Sequence, residues 1–140
     1  MTTDLRAAVT AIEYDMEPTY QPGACNIGPA EIRRRRDAGF LGVGAAILLG
    51  AVLVAIDAPS AARWLVALPL VGGIVGFAQA RFRFCAAYGL MGVQNFGPLG
   101  SQERVEQGAL AADRRRALAI GGGSVLLAVL LTAVFAALPI

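Results

Sequence analysis

The sequence predicts an all-α integral membrane protein, with three transmembrane helices and an interfacial or partly inserted segment after the second. Two observations lead there. Apolar residues make up 56% of the 140-residue chain and charged residues only 16%, against about half and about a quarter in an ordinary soluble domain. The apolar surplus is gathered into three charge-free runs: residues 38–56 between Asp37 and Asp57, residues 64–80 between Arg63 and Arg81, and residues 117–140 after Arg116. A membrane crossing takes about 20 mainly apolar residues. The middle run is the shortest, and snorkelling by Arg63 and Arg81 extends it. Three such runs exceed what so short a chain can enclose as core helices.

Residues 1–24 form an acidic segment expected in the cytoplasm. Asp4, Arg6, Glu13, Asp15 and Glu17 interrupt it, so it holds no apolar core of a signal peptide. Thr2, Thr3 and Asp4 are N-cap types, and Leu5, Ala8, Val9 and Ile12 follow at helical spacing. This predicts a short amphipathic helix over residues 2–16, ended by Pro18, Pro22 and Gly23. Residues 25–97 read as a two-span membrane domain. Its first helix should start near Pro29, with Asn26 or Gly28 as cap and Glu31 at the positive helix end. Pro69 lies inside the second span and can kink it.

Residues 84–102 are again free of charge. The polar residues and helix breakers from Gln94 to Gly100 disfavour a fourth span, which would also carry Arg114 to Arg116 across the membrane. The expectation is a segment that extends the second helix, lies at the interface or dips partway into a protein-lined cavity. Residues 98–116 then form a cytoplasmic connector helix, and residues 117–140 the third span.

Arginine fixes the orientation. Arg33 to Arg36 precede span one, Arg81 and Arg83 follow span two, and Arg114 to Arg116 precede span three. The loop between spans one and two holds only Arg63. The positive-inside rule puts the three clusters, and the N-terminus, in the cytoplasm and the C-terminus outside. The setting is the inner or plasma membrane. Small residues recur every four positions, as Gly42, Ala46 and Gly50 in span one and as Gly72, Gly76 and Ala80 in span two. Such spacing lets backbones approach closely, within the chain or in a homo-oligomer seam.

The order of motifs resembles a known family. Cys25-Asn26-Ile27-Gly28 is followed by Glu31-Ile32-Arg33, a Gly-rich span, a second span ending Gly76-Phe77, and then Phe84-Cys85-Ala86-Ala87-Tyr88-Gly89-Leu90-Met91-Gly92. Over about residues 25–95 this is similar to the YgaP-like inner-membrane transmembrane domain, a two-helix domain often found beside rhodanese modules. Residues 78–84, with Arg81 and Arg83, stand between the Gly-Phe and the Cys that adjoin in that family. The resemblance implies a link to sulfur handling, with Cys25 and Cys85 as its thiols.

Both thiols should return to the cytoplasmic face. Arginine there can lower a thiol pKa and fit Cys25 and Cys85 for a persulfide relay; the alternative is a pair of small buried apolar residues. A lasting disulfide is not expected on the reducing side. Arg33, Arg34, Arg81 and Arg83 are candidate contacts for an anion or a lipid headgroup, or simple topology anchors. Tyr88, Gln94 and Asn95 could line a polar pocket with them.

All twelve basic residues are Arg, ten residues are acidic, the net charge is +2, and there is no His. No nucleic-acid partner is expected, and His-based catalysis and His metal ligation are excluded. Two Cys do not make a four-ligand zinc site. No metal, cofactor or catalytic residue is assigned. The expected partners are the lipid bilayer and either further copies of the chain or another membrane subunit. Three roles fit: a helix-packing, oligomerising or accessory membrane component, favoured because it asks least of the sequence; a thiol-based sulfur relay; and a small-anion transporter or channel formed as an oligomer.

Overall fold

A computed structural model describes residues 5–6 and 19–140. The amphipathic helix expected over residues 2–16 lies, apart from Leu5 and Arg6, outside the described residues. The elements are α1 (Pro29–Ala55), α2 (Ser60–Arg63), α3 (Ala67–Phe82), α4 (Ala86–Met91), β1 (Val93–Gln94), β2 (Glu103–Arg104) and α5 (Leu110–Ala137). Three helical stretches are long and apolar enough to cross a membrane: Pro29–Ala55, Ser60–Phe82 and Gln107–Ala137. They fit a multi-pass membrane protein.

Helix α1 begins at Pro29, whose missing N–H falls where a helix has no internal acceptor for it. Gly28 is the N-cap and makes no side-chain cap. In the second stretch a 3-10 turn, Trp64–Val66, joins α2 to α3. Pro69 explains the turn: it has no N–H to give to the carbonyl four residues back, and the chain tightens there instead. Arg83, in the left-handed region at φ 53°, ends α3.

The three long helices run up, down and up, with α3 between α1 and α5. The α1–α3 crossing is a backbone contact. A Cβ added at Gly42 would lie 2.3 Å from the Gly73 nitrogen, and one added at Gly76 would lie 2.6 Å from the Gly39 nitrogen. The seam therefore runs through Gly39, Gly42, Gly73 and Gly76. Gly72 faces away, with nothing within 4 Å of an added Cβ, because adjacent helix positions differ by about 100° of rotation. Ala46 and Gly50 are buried further along α1, and Gly50 meets the Phe135 ring of α5 rather than α3. Helix α5 turns a narrow face inward at Ala117, Ile120, Ser124, Ala128, Thr132 and Ala136.

At the end away from the arginine clusters, Arg63 folds onto the terminus of α5. Its Nη1 donates to the Leu138 carbonyl at 2.9 Å, its Nη2 donates to the Ile140 carbonyl, and Ser60 Oγ donates to the Ala136 carbonyl at 2.9 Å. These bonds satisfy carbonyls that a helix end leaves open, and a cation suits that end of the helix dipole.

The connector is not the helix expected over residues 98–116. Residues 84–109 fold as a small cap: α4, the two-residue pairing of Val93 with Arg104 and Gln94 with Glu103, and a 3-10 turn at Gln107–Ala109. Gly92, at φ +72°, turns the chain out of α4, and Leu110 sits where its Cβ would be. Helix α5 then starts at Leu110 and runs unbroken through Arg114 to Arg116 into the apolar stretch.

Candidate functional site

The polar chemistry gathers at the arginine end, where residues 20–28, the start of α1 and the cap meet. Its frame is main chain. Asn26 N–H donates to the Arg83 carbonyl at 3.1 Å, Asn95 N–H to the Asn26 carbonyl at 3.0 Å, and Gly28 N–H to the Asn95 carbonyl at 2.8 Å. Ile27 and Asn95 thereby form an isolated parallel bridge. The Asn26 side chain does not cap α1. Its Oδ1 accepts from Cys85 N–H at 2.7 Å, and its Nδ2 donates to the Cys85 carbonyl at 3.1 Å. An amide is suited to this, because it offers a donor and an acceptor side by side.

Within this frame Glu31 is wholly buried, at 0% exposure. Its Oε1 accepts from the Tyr88 hydroxyl at 3.0 Å and from Asn95 Nδ2 at 3.2 Å. Its Oε2 lies 3.4 Å from Arg35 Nη2, four residues on, in the only ion pair among the described residues. Arg35 Nη2 also donates to Cys85 Sγ at 3.1 Å, and the Arg35 guanidinium lies 5.7 Å from the centre of the Tyr88 ring. A buried carboxylate needs compensation of this kind, since an isolated charge is costly out of water.

The four-arginine run divides by helical phase. Arg33, Arg34 and Arg36 are exposed, and Arg35 alone turns in, because position i+4 lies over Glu31. Arg33 and Arg34 line an open surface depression with Asp37 and Leu99. Arg81 and Arg83 are exposed at the end of α3, and the contacts of the cluster come from Arg35 instead. Tyr88 and Asn95 lie inside the cluster. Gln94 is half-buried in β1 and lines a separate depression with Tyr20 and Arg104.

The two thiols differ. Cys85 is 1% exposed and packs with Ile27 and Tyr88. Cys25 is half-buried and free, with its Sγ 3.8 Å from the Ile27 carbonyl. Burial pushes the Cys25 thiol above its ordinary pKa, against the pull of the Arg83 charge. The Arg83 charge does lower it, and desolvation is the larger effect.

A second latch holds residues 20–23 to α5. Asp113 is fully buried; its Oδ2 accepts from the Tyr20 hydroxyl and its Oδ1 from Gly23 N–H, both at 2.7 Å. Burial, and then the Asp113 carboxylate, push the Tyr20 phenol far up. Neither Asp113 nor Arg116 stands among the candidate contacts that the sequence suggests, where Arg116 reads only as one of the arginines that orient span three. A lone Asp opening a helix gives no sign of burial, although an arginine run leading into a span was visible.

Compared with protein-family models, curated proteins and solved structures, the chain matches none.

Proposed function

We propose that this chain is a small three-span protein of the plasma or inner membrane, acting as an accessory or oligomerising component of a membrane assembly. Its N-terminus lies in the cytoplasm, its C-terminus lies outside, and the cap of residues 84–109 sits at the cytoplasmic interface. The arginine clusters at one end of the bundle support the orientation. One observation carries the accessory role: Glu31 and Cys85, the groups most able to do chemistry, are 0% and 1% exposed and are bonded to the chain's own residues. The network is used as a clamp. Kinship with the YgaP-like domain belongs to the same reading, because Asn26, Glu31, Cys85 and Tyr88, which carry the resemblance, meet in one cluster.

Reporter fusions after residues 24, 60, 108 and 140 test the orientation. Those after 24 and 108 should report cytoplasm, and those after 60 and 140 the outside; one compartment for both 24 and 140 sinks the three-span reading. The accessory role is tested by the mass of the purified particle in mild detergent. More than one chain, or a co-purifying second membrane subunit, is expected. A lone chain at every concentration refutes the role.

A second reading, a sulfur relay through Cys85, is favoured by one contact: a positively charged donor on the sulfur is the setting in which cysteines react. It requires the cap to open. Persulfide on Cys85 in the native protein, abolished by Cys85→Ser, would support it.

A further inference from the structure

Two open grooves run along the helix bundle, and they differ in one respect. The larger, of about 560 Å³, lies between α1, α3 and Phe135 of α5, and is lined only by apolar residues. The second, of about 370 Å³, lies between α3 and α5 at the arginine end. Its apolar walls include Ile74, Ala78, Ile120 and Leu127, and Arg116 stands at its head. The Arg116 guanidinium lies 4.7 Å from the centre of the Phe82 ring, and its Nε is buried with no hydrogen-bond partner.

The charge around this head is unbalanced. Arg81, Arg114, Arg115 and Arg116 make no ion pair among the described residues. The nearby carboxylate, Asp113, is fully buried and already accepts from Tyr20 and Gly23. Below the head, an added Cβ at Gly123 would find nothing within 4 Å, so the groove stays open along α5. From Arg116 to Leu127 a helix rises about 16 Å. One leaflet of the hydrocarbon core is about 15 Å deep. The groove thus has an anion-seeking head at one end and apolar walls for the depth of one leaflet.

We infer that this groove holds one anionic phospholipid of the cytoplasmic leaflet, with its phosphate on Arg116 and one acyl chain along Ile120, Gly123 and Leu127. The inference rests on the membrane orientation proposed above. The larger groove has no arginine among its lining residues; Arg63, which stands over its Phe135, likewise has a buried Nε without a partner, but both of its Nη groups are taken by the carbonyls of Leu138 and Ile140. A basic pocket between membrane helices on the cytoplasmic side is the usual form of such a site.

The test is native mass spectrometry of the full chain in neutral detergent, titrated with phosphatidylglycerol and with phosphatidylcholine. Phosphatidylglycerol should bind at least about fivefold more tightly, the worth of one arginine contact near the surface. Arg116→Gln should abolish that preference, and the exposed Arg114→Gln should leave most of it. Gly123→Leu should weaken both lipids; it fills the groove at a position with free space around it, so the fold should survive. Equal binding of the two lipids overturns the inference. So do equal losses from the two arginine changes, which would mean a diffuse surface field, and displacement of the lipid by inorganic phosphate, which would make the free anion the ligand. A chain recovered in the soluble fraction without detergent defeats the membrane reading itself. A chain that stays in micelles without lipid preference defeats only the lipid site.

Discussion

Gly42→Ala places a methyl group against backbone. The new Cβ would lie 2.3 Å from the Gly73 nitrogen, 2.5 Å from the Gly73 Cα and 2.8 Å from the Pro69 carbonyl oxygen. Ordinary non-bonded contacts of carbon are about 3.5–4.0 Å, so the helices must part by about 1 Å. No side chain can rotate away, because every atom met belongs to main chain. Parting also loosens the neighbouring Gly39–Gly76 contact, where the backbones are nearly as close. Overpacking costs about 1–3 kcal/mol, and a rigid obstacle puts this case at about 3 kcal/mol. For a chain of this size that lowers the melting temperature by about 10 °C. Gly44→Ala, two residues along the same helix, is the control: nothing lies within 4 Å of its added Cβ, and removing a helix glycine there gains up to about 1 kcal/mol. Thermal unfolding followed by circular dichroism in micelles measures both. If the two variants melt together, close backbone approach does not hold α1 to α3.

Asn26→Ala should cost about 2–4 kcal/mol, because the buried N–H and carbonyl of Cys85 lose their partners together; the melting curve measures it. Tyr20→Phe should cost about 1.5–3 kcal/mol by taking a donor from the buried Asp113 carboxylate. The fold holds the Tyr20 proton more tightly than the unfolded chain does, so this stabilisation is whole below about pH 10 and declines from there, to be lost only as pH passes the raised pKa of the folded state. Melts from about pH 8 to 11 should therefore show a constant gap between wild type and Tyr20→Phe up to about pH 10 and a gap narrower by about 1 kcal/mol at the alkaline end; a gap unchanged throughout counts against the latch. In native membranes Cys25 should alkylate more slowly than a free thiol and gain speed only above about pH 8.5, since its pKa is raised. Cys85 should stay unlabelled until denaturation; labelling it at the free-thiol rate would displace the clamp in favour of the relay.

The parts of the fold legible in the sequence are those governed by local composition. Long charge-free runs give the three apolar helices, and Pro29 marks the start of α1. What stayed hidden depends on partners distant in sequence. Gly72 and Gly73 are indistinguishable in a Gly-rich run, and only the rotation of α3 against α1 selects Gly73. Asn26 has the look of a helix cap, and its actual partner, the Cys85 main chain, is 59 residues away. Glu31 and Arg35 have the spacing of a surface pair, and the cap that buries them comes from residues 84–109. For Cys25 the sequence leaves both readings open, because charge is visible in sequence and desolvation is not.

The distribution of contacts along the bundle has a physical logic. Apolar helices in lipid gain little from hiding apolar surface from one another, so close packing and polar bonds must hold them together. This chain is fastened at three levels. At the arginine end the Glu31 cluster ties α1 to α4 and the cap, and the Asp113 latch ties residues 20–23 to α5. At mid-height Gly42 and Gly73 bring two backbones together. At the far end Arg63 and Ser60 hold the terminus of α5. The charged fastenings lie at the two ends of the bundle, and the middle one carries no charge. Glu31 sets the strictest demand of the three. Losing Tyr88 or Asn95 takes a donor from the buried Glu31 carboxylate, at about 1.5–3 kcal/mol, and losing Arg35 breaks its ion pair, at about 3 kcal/mol. Residues 20–28, the start of α1 and the cap therefore stand or fall as one unit, and the accessory role proposed above rests on such a unit: one polar face at one end of an otherwise apolar bundle.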